Sequence, residues 1–378
     1  MEARSVPKAL TLIMEENGWT QVDLARRLGT SQPSLSRIIA GKQDVPARRV
    51  IEWTERVGWE VVIRPKREDA VERRTFLANM AAVTPVTLVP EALGNPYRDH
   101  TYVRDLAQRL TDHMYAQGGV SSSVAAIRHL RRIKTVSEMK NRRLLSACSE
   151  LARKASLVLY DAQRLKDAER AGALAVRLAR QAEDTSAEID AYRELSMFAS
   201  YQGNGRVGAE YAERALALIK TTDATSAQRA QVIMRLGRAL GFVPGQEHRA
   251  RAKLDAARTV DGLTVFEKAD LLGGVGVALK EQRVYPHAHD TLDLAVNLTG
   301  PLSPLLQANY LARRIQVALD SARPDEAAAL IDTLTGIAPM VTSARLDRYM
   351  AEIHAQSGRW RNVPEMRSAR EHLHDLMV

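Results

Sequence analysis

Residues with mostly small side chains recur at a regular interval between residues 97 and 378. The interval is about 40 residues, because the successive differences are 40, 41, 39, 39 and 36. The recurring positions are Ser156, Ser196, Gly237, Gly276, Ile315 and Ala351. Each is followed about seven residues later by a turn, at Gln163, Gly203, Pro244, Arg283, Ala322 and Gly358. A period of this length with an internal turn is typical of stacked helix pairs. We therefore predict an α-solenoid of six helix pairs, with one more pair before them that is divided at Gly118–Gly119.

The clearest unit runs from Tyr192 to Leu218 and resembles a tetratricopeptide repeat. Its matches to the packing positions of that family are Tyr192, Leu195, Ser196, Ala199, Gly203, Gly208, Ala212 and Ala215. The period here exceeds the family's length of about 34 residues. Ile315 is also bulky where a small residue is expected. A helical solenoid outside the tetratricopeptide family is therefore the alternative interpretation.

In tetratricopeptide proteins the first helices line a concave groove that commonly takes an extended peptide. The resemblance implies that side chains at the groove positions bind the backbone or a carboxylate of a ligand. The corresponding residues here are Arg153, Tyr160, Arg193, Tyr201, Gln231, Arg238, Asn309 and Gln316. An ordinary solvated position is the alternative interpretation for each of them.

Residues 20 to 42 predict two short helices joined by a tight turn. Thr20 and Ser31 are good N-caps for the two helices, and Gly29 tolerates the left-handed backbone that ends the first. The side chains predicted to face the core are Val22, Leu24, Ala25, Leu28, Leu35, Ile38 and Ile39. The side chains predicted to face outward from the second helix are Gln32, Ser34, Ser36 and Arg37. Such a dense hydrogen-bonding surface suits contact with base edges in the DNA major groove.

This segment resembles the Cro and lambda-repressor-like helix-turn-helix family, also called XRE, over about residues 6 to 63. The matching residues are Gly18-Trp19-Thr20-Gln21, Leu24-Ala25, Leu28-Gly29, Ser31-Gln32, Ser34, Ile38 and Gly41-Lys42. The resemblance implies phosphate contacts by Gln21, Gly41 and Lys42. It implies a DNA-reading face formed by Ser31, Gln32, Ser34, Ser36 and Arg37, in which Gln32 and Arg37 touch base edges. Pro33 departs from the family's usual polar residue, which puts a base contact at that position in doubt. Two helices of a small bundle with a solvated face are the alternative interpretation.

The flanking sequence completes a five-helix domain. Residues 6 to 16 predict a first helix that buries Leu10, Ile13 and Met14, and residues 47 to 57 predict a last helix. Residues 60 to 64 form a β-like run, and a lone strand needs a partner for its backbone. That partner is the same strand of a second subunit or a segment of the same chain, unless the run is an extended tail. The predicted fold class is all-α: a lambda-repressor-like domain with a short strand at 1–67, a linker at 68–96, and a tetratricopeptide-like solenoid at 97–378.

Composition limits the function classes. A net charge of +9 and a pI of about 9.7 suit a polyanionic partner. The stretch from Arg128 to Lys154 alone carries a net charge of +7. It is interpreted as a phosphate contact, a cradle for an anionic ligand, a subunit interface or a solvated face. Cys148 is the only cysteine, which excludes an internal disulfide and suits a reducing cytoplasm.

Signals for export, membrane insertion and catalysis are weak. No apolar run reaches the roughly 18 residues of a membrane span, and the twin-arginine-like Arg73-Arg74 is internal, so we assign it to the linker. His287 with His289, and His372 with His374, are two residues apart and point to different sides of a helix. We therefore predict a cytoplasmic protein that is not an enzyme and has no cofactor, no metal site and no membrane partner.

A helix-turn-helix followed by such an array resembles the bacterial peptide-sensing regulators of the RRNPP-like group. The resemblance implies a homodimeric transcription regulator that binds a double-stranded DNA operator. It also implies that a short signalling peptide, or another small ligand, in the repeat groove modulates this binding. The alternatives are a scaffold that recruits a protein partner to DNA and a ligand-independent repressor of phage or plasmid type.

Overall fold

The computed structural model describes residues 6–17, 19–40, 42–43, 45, 49–50, 53, 57, 59–63, 86–90, 95–136 and 141–377. Within these ranges the chain forms 17 α-helices and one two-stranded sheet. Its internal contacts divide it into two compact units, Met1–Pro96 and Tyr97–Val378. The predicted all-α class is confirmed, with two short strands instead of one.

Three helices of the first unit enclose a small core. They are α1 (Val6–Asn17), α2 (Gln21–Leu28) and α3 (Gln32–Ile39). Thr20 and Asp23 form a reciprocal capping box at the start of α2, and Gly29 ends this helix with a left-handed φ of 66°. The buried core residues are Ala9, Leu10, Ile13, Leu24, Ala25, Leu28, Leu35, Ile38 and Trp53. The apolar spacing that predicted these helices is therefore the spacing that packs them.

Two predictions for this unit need comment. Val22 was expected in the core, but it is 53% exposed, because the buried stripe of α2 consists of Leu24, Ala25 and Leu28. The predicted last helix at 47–57 lies largely outside the described residues. Within it, Val50 and Trp53 are helical and buried.

The predicted strand at 60–64 is β1 (Trp59–Ile63), and it has a partner within the chain. That partner is β2 (Val86–Pro90), which pairs antiparallel to β1 in a register running from Trp59 opposite Pro90 to Ile63 opposite Val86. The structure thus confirms the alternative of pairing within the chain and supplies the backbone partner without a second subunit. β2 lies inside the segment predicted as a linker.

The second unit contains seven helix pairs. The first helices of the pairs are α4 (His100–Gln117), α6 (Arg142–Asp161), α8 (Thr185–Tyr201), α10 (Ser226–Leu240), α12 (Val265–Glu281), α14 (Pro304–Asp320) and α16 (Ala344–Ser357). The second helices are α5 (Ser123–Val136), α7 (Leu165–Ala182), α9 (Gly205–Ile219), α11 (Glu247–Arg258), α13 (Tyr285–Thr299), α15 (Pro324–Ile337) and α17 (Pro364–Asp375). Each first helix packs against its neighbouring first helices, which makes them the inner layer of the solenoid.

The recurring positions explain how the pairs pack so closely. Ser156, Ser196 and Ile315 are fully buried. At Gly276 an added Cβ would lie 2.6 Å from Leu292 on the paired helix, so only glycine fits there. Ala351 was expected to be buried like the others, but it is exposed. Its helix, α16, instead buries Leu346, Tyr349, Met350 and Ile353, whose i, i+3, i+4, i+7 spacing leaves Ala351 outside the stripe.

Four of the predicted turns adopt the left-handed backbone that reverses the chain. They are Gln163, Gly203, Arg283 and Ala322, with φ between 55° and 78°. At the turn predicted at Pro244, the left-handed residue is Gly245 (φ 77°). Gly358 keeps a helical φ of −56°, so the last turn is built differently.

The solenoid closes on itself, because its first pair contacts the loop before α16. The backbone N–H of Thr342 donates to the Gln117 carbonyl at 2.7 Å, and the N–H of Val120 donates to the Thr342 carbonyl at 3.2 Å. Gly118 has φ +89°, and a Cβ there would lie 2.4 Å from the Thr342 oxygen. The glycines expected only to divide two helices thus also permit this close approach of two backbones.

Asp161 is the polar centre of this closure. Its carboxylate is 1% exposed and accepts hydrogen bonds from the Gly119 N–H (2.8 Å), the Ser343 hydroxyl (2.8 Å) and the Arg345 guanidinium (3.1 Å). These donors come from both ends of the array, so one buried charge holds the ends together.

We expect Asp161→Ala to lower the free energy of unfolding by about 3 kcal/mol or more, because it leaves the Arg345 guanidinium and the Gly119 N–H without their buried partner. Urea denaturation followed by circular dichroism measures this. Asp255→Ala, at an exposed position on α11, is the matched control and should change stability by less than about 0.5 kcal/mol. Equal stability of the two variants would contradict the closure role of Asp161.

Candidate nucleic-acid interface and ligand cavity

Helix α3 is anchored by its apolar face and exposes its polar one. Leu35 and Ile38 are 0% and 2% exposed, while Gln32 and Arg37 lie at the surface. Ser34 and Ser36 are half-buried. The Ser31 hydroxyl accepts the N–H of Ser34 at 3.4 Å, so it serves as the helix cap. The outward-facing set predicted from the sequence is therefore present on one helix.

Gln21 and Gln32 are held together across the turn. The Gln32 Nε2 donates to the Gln21 Oε1 at 3.2 Å. This contact leaves the Gln21 amide N–H groups available for a phosphate, and it leaves the Gln32 oxygen and one N–H available for a base edge. The backbone N–H of Lys42, an exposed residue, donates to the Arg37 carbonyl at 2.8 Å. Gly41 lies outside the described residues.

The inner layer of the solenoid encloses a cavity of about 370 Å³, a size typical of small-molecule sites. Its lining comes from all seven first helices. Six of the eight predicted groove residues line it: Arg153, Tyr160, Arg193, Gln231, Arg238 and Asn309. The cavity has apolar walls as well, formed by Met114, Tyr115, Leu157, Met197, Phe266, Val277, Leu305, Leu306, Tyr310 and Tyr349.

Tyr201 and Gln316, the other two predicted residues, are not part of the cavity wall. The Tyr201 hydroxyl donates to the Gln163 side chain at 3.0 Å. Gln316 is 2% exposed, donates to Glu352 at 2.9 Å and accepts from Arg313 at 2.8 Å. Both lie near the carboxyl ends of their helices and have their hydrogen-bonding groups engaged within the protein.

Several polar cavity residues were not predicted from the sequence. They are Lys154, Asp161, Glu194, Arg235, Glu267, Asp270, Arg313 and Arg345. Helical spacing supplies a signal for two of them, because Arg235 lies four residues after Gln231 and Arg313 four after Asn309.

The residues of the basic stretch at 128–154 fall into two groups. Arg153 and Lys154 face the cavity, whereas Arg128, Arg131, Arg132, Lys134, Arg142 and Arg143 are exposed and Lys140 lies outside the described residues.

Most cavity charges are paired. Glu194, 3% exposed, accepts from Arg153 at 3.3 Å and from Arg193 at 2.7 Å. Burial alone would raise the pKa of Glu194, but these two guanidinium groups hold it below its usual value. Arg238 binds Glu281 through two hydrogen bonds of 2.8 and 2.6 Å. The cavity wall is therefore a network of fixed, desolvated ion pairs.

Residues 10–56 match the family model described as helix-turn-helix. The N-terminal unit contains a helix-turn-helix domain. This match confirms the resemblance predicted for the first unit, whose α2 and α3 provide the two helices and the turn at Gly29. No curated protein matches the chain.

Several solved structures match the chain at low sequence identity. A Rap protein complexed with competence and sporulation factor is 10% identical, with a TM-score of 0.49, over 98% of this chain and 97% of that one. The apo form of the quorum sensor NprR from Bacillus thuringiensis is 11% identical, with a TM-score of 0.43, over 99% and 100%. PlcR from Bacillus thuringiensis, in complex with the peptide PapR7 and DNA, is 11% identical, with a TM-score of 0.38, over 79% and 96%.

No helix among the described residues is both long and apolar enough to cross a membrane. No group of three or more His, Cys, Asp and Glu side chains in those same ranges is placed to hold a metal ion.

Lys154 makes the stability of the second unit depend on pH. Burial, followed by the neighbouring Arg153 charge, lowers the pKa of Lys154 to about 8, whereas an unfolded lysine titrates near 10.4. The cost of burying the cation is therefore fully present below about pH 8 and is relieved as the pH rises toward 10. We expect Lys154→Met to be more stable than the wild type at pH 7.5, and this advantage to shrink by roughly 1–2 kcal/mol at pH 9.5.

Denaturant unfolding at the two pH values measures this difference. Lys268→Met, at an exposed position on α12, is the control and should show the same stability difference from the wild type at both pH values. An unchanged difference for Lys154→Met would show that its ammonium is solvated.

Proposed function

We propose that this protein is a homodimeric, sequence-specific transcription regulator whose DNA binding is modulated by a short peptide held in the solenoid cavity. The observation that carries the proposal is that one chain combines an exposed polar helix in a helix-turn-helix domain with a separate, ligand-sized cavity in a helical array. A ligand-independent repressor would have no use for a cavity lined by this many desolvated charges.

In the first domain, the chemistry of each exposed side chain supports a role on DNA. Arg37 suits the O6 and N7 atoms of guanine, and Gln32 suits the N6 and N7 atoms of adenine, since each pair allows two hydrogen bonds in the base plane. Gln21 and Lys42 are assigned to phosphates, together with Gly41. Ser34 and Ser36 complete the face, and Ser31 orients it through its cap.

The cavity supports a peptide ligand through its mixture of groups. Its apolar walls suit side chains, while the amides of Gln231 and Asn309 and several arginines suit a backbone or a carboxylate. A dimer would place two α3 helices about 34 Å apart on successive major grooves. A small rotation between subunits on ligand binding would then change the affinity for DNA.

Substitutions on the reading face should separate base contacts from phosphate contacts. In binding assays with site-selected DNA, Arg37→Ala should weaken the selected site by about 1–3 kcal/mol and relax the preference at one base pair. Lys42→Ala should lower the affinity for all DNA sequences alike. It should also reduce the salt dependence of binding by about the amount expected for one phosphate contact. Arg206→Ala removes one exposed cation from α9 and should change neither property. If the double variant Gln32→Ala/Arg37→Ala kept the wild-type affinity for the selected DNA site, α3 would not be the helix that reads the bases.

A pool of short synthetic linear peptides tests the regulatory half of the proposal. We expect some members to raise the melting temperature of the full chain, because a ligand that binds only the folded state stabilises it. The same members should change the affinity for the selected DNA. Peptides that stabilise the protein but leave DNA binding unchanged would favour the scaffold instead, and a pool without effect on either property would contradict peptide sensing.

A further inference from the structure

Arg235 is a buried cation in the cavity wall, and it has no carboxylate partner in the described part of the chain. It lies on α10, is 8% exposed and lines the cavity. No salt bridge within 4.0 Å joins it to any carboxylate of the described residues, and its Nε has no hydrogen-bond acceptor there. Its one recorded polar contact is between Nη1 and the Met234 sulfur, at 3.9 Å. A buried guanidinium normally has several acceptors, so this one is incomplete.

The carboxylates whose charges act on Arg235 already bind other groups. These are Asp270 and Glu194. Glu194 accepts from Arg153 and Arg193. Asp270 accepts from the Gln231 amide at 3.0 Å and from the Tyr310 hydroxyl at 2.8 Å. Burial lowers the pKa of Arg235 below its ordinary value, which reflects the free-energy cost of its uncompensated charge.

Two side chains that line the same cavity each carry a buried oxygen without a donor among the described residues. These oxygens are the Gln231 Oε1 and the Asn309 Oδ1, both fully shielded. Their orientations are fixed by their other ends, because Gln231 Nε2 donates to Asp270 and Asn309 Nδ2 donates to the Leu305 carbonyl at 2.7 Å. Neither amide could be reversed without placing an oxygen against an oxygen.

We propose that the cavity selects an amphipathic oxyanion, a ligand whose negative oxygens bind the Arg235 guanidinium. This inference rests on the proposed function of the cavity as a ligand site. The ligand also needs an apolar body, because Leu157, Met197 and Phe266 line the same space. Arg313 and Lys154 are further cations there. Arg313 already donates to Gln316 and stacks on Tyr349 at 3.9 Å, and Lys154 is less buried than Arg235, so we take Arg235 as the principal anion site.

The fluorescent probes 8-anilinonaphthalene-1-sulfonate and N-phenyl-1-naphthylamine test the anion site directly. They share an aromatic skeleton and an N–H group, and only the first carries a sulfonate. In titrations of the full chain, we expect Arg235→Gln to lower the affinity for the sulfonate probe at least tenfold, because a charge-assisted contact is lost. The same substitution should change the affinity for the neutral probe less than twofold. Arg235→Lys should retain most of the preference for the sulfonate, and Arg206→Gln on exposed α9 should match the wild type.

Three outcomes would overturn the proposal. The first is a wild type that binds the sulfonate no better than the neutral probe, and the second is an Arg235→Gln variant that keeps that preference. The third is an Arg235→Gln variant whose affinity for both probes falls equally, which would show that Arg235 has a structural role. If Arg235→Gln does not fold, a folded Arg235→Lys variant without the preference for the sulfonate also overturns the proposal.

Peptide pools identify the source of the oxyanion. A pool with free carboxyl ends is compared with the same pool carrying amidated ends, and each is prepared with and without Asp and Glu. If Arg235→Gln weakens peptide binding only when the carboxyl ends are free, the terminal carboxylate makes the contact. If the substitution weakens binding only when the peptides contain Asp or Glu, a side-chain carboxylate makes it. The proposal of an oxyanion ligand would be contradicted if amidated peptides without Asp or Glu bound as tightly as the acidic pools. They would also have to bind wild type and Arg235→Gln with equal affinity. None of these measurements includes DNA, so their failure is distinct from a failure of the DNA-binding proposal.

Discussion

The cavity of the second unit exists because the two ends of the solenoid meet, and one buried carboxylate is the polar centre of that contact. Asp161 receives hydrogen bonds from Gly119, Ser343 and Arg345, which belong to the beginning and the end of the helical array. In an open solenoid each helix pair contacts only its neighbours, and the inner surface is a groove facing solvent. Here α4 also packs against α14, and the groove becomes a partly enclosed cavity. Several inner charges, among them Asp161, Glu194 and Arg235, are buried in its wall.

Burial of the inner charges makes both their mutual attraction and their desolvation cost large. At a solvated surface, pairs such as Glu194 with Arg153 and Arg193 would contribute little. Inside the cavity they are buried, so the Coulomb attraction and the desolvation cost are both large, and a cation without a partner is expensive. The wall satisfies most of its charges internally. Arg235, whose Nε has no acceptor among the described residues, is a deeply buried exception, and our proposal gives it a partner from outside the chain.

The parts of this structure that depend on local sequence could be predicted, and the parts that depend on distant contacts could not. Gln163, Arg283 and Ala322 were placed at turns by the period alone, and each has the left-handed backbone of a turn. Six of the eight residues that the tetratricopeptide resemblance implied for the groove line the cavity. Val22 and Ala351 sit at the margins of apolar stripes, where a fraction of a helical turn decides between burial and exposure.

Tyr201, Gln316 and the closure itself needed long-range information. The partner of Gln316 is Glu352 on the next first helix, and the Ser343 hydroxyl meets Asp161 from 182 residues away in the sequence. No pattern within one repeat encodes such pairs. Arg235 could have been found from its spacing after Gln231, but its lack of a partner is a property of the packed wall and not of the helix that carries it.

The closure and the cavity share residues, and this bears on how binding could alter conformation. Asp161 and Arg345 line the cavity, and their ion pair is also part of the contact that joins the two ends of the array. A ligand changes a conformational equilibrium only as far as it binds one conformation better than the other. An oxyanion that bound Arg345 would compete with Asp161 for it, whereas one held by Arg235 would leave that pair intact. The position of the negative charge along the cavity would therefore decide whether a ligand stabilises the closed array or loosens it.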